Sequence, residues 1–226
     1  MVMRARSDTP EARTALGELC EAYWTPVMRF LRYEGRGEDE SRELTQEFIE
    51  RLLSRGGIDG ADPSKGRFRS YLLGALKHFL AERRRAAGRL KRGGGSEHVS
   101  IESGGSETSP GLAISDPVGG VDDAYFDRQW ALAVMERGLD RVRESFAGSG
   151  KEEQFERLKP WLIGDTENLS QAEVATELGM QPGAVKVAIH RLRKSFGEAV
   201  EAEISQTVDD PEAVGEELRY LIEVLS

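Results

Sequence analysis

The sequence predicts an all-α fold: two small helical domains joined by a flexible linker, the C-terminal one containing a helix-turn-helix. Three observations lead there. Apolar residues recur at helical spacing on both sides of a long stretch rich in glycine, serine and acids. No strand-like alternation of useful length occurs, and a glycine-broken helical segment near residues 170–194 ends in a basic helix. At 226 residues the chain is long enough for two modules, each with its own core.

Residues 11–34 carry Ala15, Leu16, Leu19, Cys20, Tyr23, Trp24, Val27, Met28 and Leu31 at helical spacing, with Pro26 expected to kink the helix. A second helix is expected from Asp39 to Leu53, burying Leu44, Phe48, Ile49 and Leu52 and leaving Glu43, Gln46, Glu47 and Glu50 on its polar face. The loop from Gly56 to Gly66, with Asp62-Pro63, breaks the pattern before a third helix from Arg67 to Leu90. These helices make up a first domain, residues 1–92. In the third one Phe68, Tyr71 and Phe79 interleave with cations, and Phe68 and Phe79 are expected in the core.

Residues 93–121 open with Gly93-Gly94-Gly95, continue through Pro110, Pro117 and Gly119-Gly120 without a usable period, and read as a flexible linker. A tether of roughly 28 residues relaxes to an end-to-end distance of ~30 Å and reaches ~90 Å when taut. The helical signal returns over residues 122–204, with Phe126, Trp130, Val134 and Leu139 on one side, then a short helical stretch from Phe155 to Ile163.

Ser170 and Glu173 have the spacing of a capping box, in which each side chain satisfies the other residue's amide. Gly179 can end that helix, because a residue without Cβ takes the left-handed turn at no steric cost, and Pro182 suits the first turn of the next one. In this second helix Val185, Ile189, Leu192 and Phe196 share one face while Lys186, His190, Arg193 and Lys194 share the other. An ordinary helical hairpin with a wet surface is the alternative. Cap, turn glycine, proline and basic face together favour a DNA-reading helix-turn-helix. Residues 205–226 form an acidic amphipathic tail: Asp210-Pro211 starts a helix, and Val214, Leu218, Leu221, Ile222 and Leu225 make a stripe among Glu212, Glu216, Glu217 and Glu223. This tail is expected to fold back on its own domain.

Charged residues at 31% and a mean hydropathy of -0.49 fit a soluble chain. No apolar run approaches the ~20 residues of a membrane span, and Met1 to Pro10 lack the apolar centre of a signal peptide, so a cytoplasmic location without membrane attachment is expected. The one cysteine, Cys20, excludes an internal disulfide and sits on an apolar stripe, which favours packing over reactivity. With three histidines no zinc-ligand cluster is expected, and there is no glycine-rich phosphate loop or Ser-His-Asp arrangement; neither an enzyme nor a cofactor is anticipated. Net charge is -9, yet the charges are segregated. Lys65, Arg67, Arg69, Lys77, Arg83, Arg84, Arg85, Arg89, Lys91 and Arg92 crowd one stretch against Glu82 alone, so basic contact zones sit on an acidic body.

The run Glu43-Leu44-Thr45-Gln46-Glu47-Phe48, then Gly66-Arg67-Phe68-Arg69-Ser70-Tyr71-Leu72-Leu73, a basic run, a linker and a terminal helix-turn-helix resembles the sigma-70 family of bacterial RNA polymerase sigma factors. The match is closest to its compact extracytoplasmic-function type and covers residues 11–204. The resemblance implies a non-catalytic factor for transcription initiation that binds core RNA polymerase and directs it to promoter DNA. It implies that Glu43, Gln46, Glu47 and Glu50 dock on the arginine-rich clamp helices of the largest polymerase subunit, where a carboxylate can take two parallel bonds from a guanidinium. It implies that Arg67, Arg69, Tyr71, Lys77, His78, Arg83, Arg84 and Arg85 meet the -10 element, cations following phosphates and aromatic faces supporting unstacked bases, with the loop Ile58 to Gly66 capturing a flipped base. His78 stands where many members carry an asparagine. Lys186, His190, Arg191, Arg193 and Lys194 match the helix that docks at the -35 element in the major groove. The resemblance also allows an anti-sigma protein as a partner.

The main alternative is a self-sufficient helix-turn-helix regulator, with residues 1–92 as an oligomerisation or sensor domain. Such a regulator needs a dimer to gain half-site affinity, whereas the sigma reading expects a monomer when free.

Overall fold

The computed structural model describes residues 10–54, 67–92, 121–164, 169–208 and 211–226, and every regular element among them is an α-helix. The linker and the Ile58 to Gly66 loop lie outside the described residues. The chain divides into two compact units, Met1–Trp130 and Ala131–Ser226.

The first unit begins with α1 (Pro10–Tyr33) and α2 (Glu38–Leu53). Helix α1 continues through Pro26, and its Leu19, Tyr23, Val27, Phe30 and Leu31 are buried at the spacing of one helical face. It stops at Gly35, whose φ of 86° only glycine adopts without strain; the Gly35 and Arg36 amides donate back to the Arg32 and Leu31 carbonyls. Glu38, Asp39 and Glu40 then open α2, their charges favoured by the positive end of the helix dipole. Leu44, Phe48, Ile49 and Leu52 are buried as the periodicity predicts, and each contributes about 1.5–3 kcal/mol by leaving water. Cys20 is part of this packing, and burial pushes its thiol pKa up to about 11.

Helix α3 (Phe68–Arg92) adds Phe68, Leu72, Leu76 and Phe79 to the core. Phe68 meets Tyr23 edge to face at 5.4 Å, and Phe79 lies 5.7 Å from Phe48. Helix α4 (Val121–Gly148) starts in this unit. Its Phe126 packs edge to face on Phe30 at 5.8 Å, and Trp130 is buried. The sequence places these first turns with the second domain; helical period marks an apolar stripe but not the core it enters, and here residues up to Trp130 belong to the first unit, where Phe126 meets Phe30 and Trp130 meets Arg69.

The second unit contains the rest of α4, then α5 (Glu152–Leu158), α6 (Pro160–Ile163), α7 (Gln171–Glu177), α8 (Pro182–Ser205) and α9 (Pro211–Leu225). Val142, Phe155, Leu158, Trp161, Val174, Val185, Ile189 and Leu192 form one apolar cluster. Gly138 lets α4 and α8 approach closely: a Cβ there would stand 2.9 Å from Val200 Cγ2. On the same contact Glu203 is buried, accepts from Arg137 Nε at 2.7 Å and is ion-paired with Arg141 at 2.5 Å. Helix α9 packs on α8 and buries Leu221 and Glu217, while Ile222 of the anticipated stripe is exposed.

Candidate nucleic-acid interface

Helices α7 and α8 are joined by a tight turn. Gly179 takes φ 62°, the Gly179 amide donates to Thr176 O at 3.2 Å, and the Met180 amide donates to Ala175 O at 2.7 Å. These two bonds close the end of α7, and Gln181 stands at the N-cap position of α8 ahead of Pro182, its carbonyl accepting from the Ala184 and Val185 amides at 2.8 and 3.3 Å. The capping box does not form. Ser170 holds the cap position with extended backbone, but its side chain makes no cap hydrogen bond; only its carbonyl engages the helix, from Val174 N at 3.1 Å. Gln171, Ala172 and Glu173 are exposed, so water can take the first amides of α7 and the box would add little.

Along α8, Val185, Ile189 and Leu192 are buried and Phe196 is half-buried, which turns Lys186, His190, Arg191 and Lys194 outward and exposed. Arg193 is exposed at the flank, and its Nε and Nη2 donate to the Trp161 carbonyl at 3.3 and 3.0 Å, tying α8 to α6. Lys194 lies 3.5 Å from Glu198 one turn on. Sequence reasoning missed Val187 on this surface, 49% exposed among the cations; the helical wheel carries that information once the buried face is assigned.

In the first unit, Glu43, Gln46, Glu47 and Glu50 are all exposed on one face of α2. Gln46 donates to Glu50 Oε1 at 3.0 Å, and Glu47 is ion-paired with Arg83 of α3. Arg51 donates to Glu82 at 2.5 Å and, as the main cause, holds the Glu82 carboxyl below its ordinary value.

The basic residues of α3 are placed unequally. Arg83, Arg84 and Arg85 are exposed, Arg84 standing 3.6 Å from Glu34. His78 is exposed with Nδ1 3.3 Å from Glu82. Arg67 and Tyr71 are half-buried. Lys77 is half-buried and lies 2.5 Å from Asp123 of α4. Arg69 departs from the expected exposed contact: it is 3% exposed, donates from Nε to Asp127 at 2.9 Å, and stacks over Trp130 with 4.9 Å to the ring. Asp123 and Asp127 went unnoticed in the sequence because nothing local marks them as partners of α3.

Among the described residues no helix is long and apolar enough to cross a membrane, and no group of three or more His, Cys, Asp and Glu side chains could hold a metal ion. Comparison with protein-family models, curated proteins and solved structures found no match to this chain.

Proposed function

We propose that this chain is a non-catalytic sigma-70-type initiation factor that binds core RNA polymerase and directs it to promoter DNA. The observation that carries the reading is the acidic face of α2: Glu43, Gln46, Glu47 and Glu50 are exposed together while Leu44, Phe48, Ile49 and Leu52 hold the helix to the core. A helix face carrying the carboxylates of Glu43, Glu47 and Glu50 suits an arginine-rich coiled coil, because each carboxylate can take two parallel charged hydrogen bonds from a guanidinium.

The DNA steps divide between the units. Helix α8 presents Lys186, His190, Arg191 and Lys194 to the major groove of the -35 element, with Arg193 at its edge. The outer cations of α3 and the half-buried Tyr71 support the separated -10 strand. Arg69 acts by holding α3 to α4 rather than by touching DNA. The reading places the protein in the cytoplasm, a monomer until it meets polymerase.

Transcription from a promoter library with purified core polymerase tests this. The full chain should yield transcripts with a shared upstream element, and charge reversal at Glu43 and Glu47 to lysine should abolish retention on core polymerase while leaving the fold intact by circular dichroism. Polymerase-independent binding to a palindromic site by a stable dimer, seen by sedimentation, would instead favour the self-sufficient regulator.

A further inference from the structure

We propose that Val187 is the specificity residue of α8 that recognises the C5-methyl group of a thymine in the upstream promoter element. This rests on the reading of α8 as a major-groove helix. With Val185, Ile189, Leu192 and Phe196 turned inward, the 3.6-residue period puts Gly183, Val187, His190 and Lys194 along the line farthest from the core. Lys186 and Arg193 flank that line on one side, Ala184 and Arg191 on the other.

A helix seated in the major groove turns its outermost line to the base edges and its flanks to the phosphate walls. The flanking cations therefore suit phosphates, and the side chains on the outer line are left to read bases. Val187 is the large apolar member of that line, 49% exposed, and one turn before it Gly183 has open space where a Cβ would stand. A bare backbone there lets the helix come close, and closeness is what a methyl contact needs. Valine cannot hydrogen-bond to a base edge. Of the four bases, only thymine offers an apolar group in the major groove, so its methyl is the matching surface. The surrounding Lys186, His190, Arg191 and Lys194 make duplex DNA the complementary occupant.

The full chain bound to core polymerase would first select an upstream element from randomised duplexes. Each thymine in the selected duplex would then be replaced singly by deoxyuridine, which removes only the methyl. At one position the wild-type complex should lose about fourfold in affinity, the effect of one buried methyl group. The V187A complex should be indifferent at that position and unchanged at the others, with the same melting temperature as wild type. K186A should weaken binding evenly at every position, as a phosphate contact does.

The inference is overturned if no substitution separates wild type from V187A, if the selected element holds no thymine beneath α8, or if V187A weakens all duplexes alike. It is also overturned if V187A loosens retention on core polymerase without DNA, which would assign Val187 to a protein contact. Failure to select any element would instead sink the promoter reading, and this inference with it.

Discussion

Helix α3 commits Arg69 and Lys77 to Asp127 and Asp123, whereas Lys186, His190 and Arg191 of α8 are exposed with no carboxylate at ion-pair distance among the described residues. Both stretches read as basic helices in the sequence. The difference lies in what stands beside them: α3 is flanked by α2 and the first turns of α4, which bring carboxylates to it, and α8 turns its cations away from its neighbours. A cation held by a carboxylate inside the packing supports the fold, and one turned to solvent is available to a ligand.

The sharpest way to break this comparison is to remove a carboxylate that serves α3. Asp127→Ala leaves the Arg69 guanidinium buried without that partner, and should destabilise the first unit by about 3 kcal/mol in urea unfolding. A loss below 1 kcal/mol would mean that Arg69 is not structural. A smaller effect is expected at the turn that aims α8: Gly179→Ala forces a Cβ into φ 62° and should cost about 1–2 kcal/mol in the second unit.

Arg191→Ala should change stability by less than about 0.5 kcal/mol, because the side chain is exposed. If the proposed function holds, it should nonetheless weaken promoter binding by the complex with polymerase and lower the slope of log K against log salt by about 0.9, the share of one phosphate. Unaltered binding with reduced stability would invert the comparison. The smallest effect belongs to Glu82, whose carboxyl is held below its ordinary value mainly by the hydrogen bond from Arg51. That interaction stabilises the fold above the unfolded-state value and is lost as pH falls through the lower folded value. Thermal melts should therefore place Glu82→Gln slightly below wild type at pH 7, the gap should close as acid protonates the folded-state carboxyl, and high salt should shrink it.

Much of the helical framework was legible because burial follows period. Leu44, Phe48, Ile49 and Leu52 on α2, and Val185, Ile189 and Leu192 on α8, fall where spacing puts them. Gly179 was legible for a backbone reason, as few other residues take its φ cheaply. The exposure of Glu43, Gln46, Glu47 and Glu50 followed from the same period. The pairing of Arg69 with Asp127, 58 residues away, and of Lys77 with Asp123, 46 residues away, was not legible, since an acidic residue on a helix gives no local sign of the helix it will meet. The Ser170 side chain was over-read: spacing permits a capping box, but on an exposed helix end water competes for the same amides.

The two hydrogen bonds from Arg193 to the Trp161 carbonyl have a consequence for how α8 is aimed. Each residue along a helix turns the outward direction by about 100°, so a small roll of the cylinder would bring a different side chain to the front. A guanidinium fastened to a neighbouring backbone oxygen works as a stop against such rolling. Angular registration is what these two bonds provide, and on the proposed reading of α8 a loosened helix would blur its choice of sequence before it lost its hold.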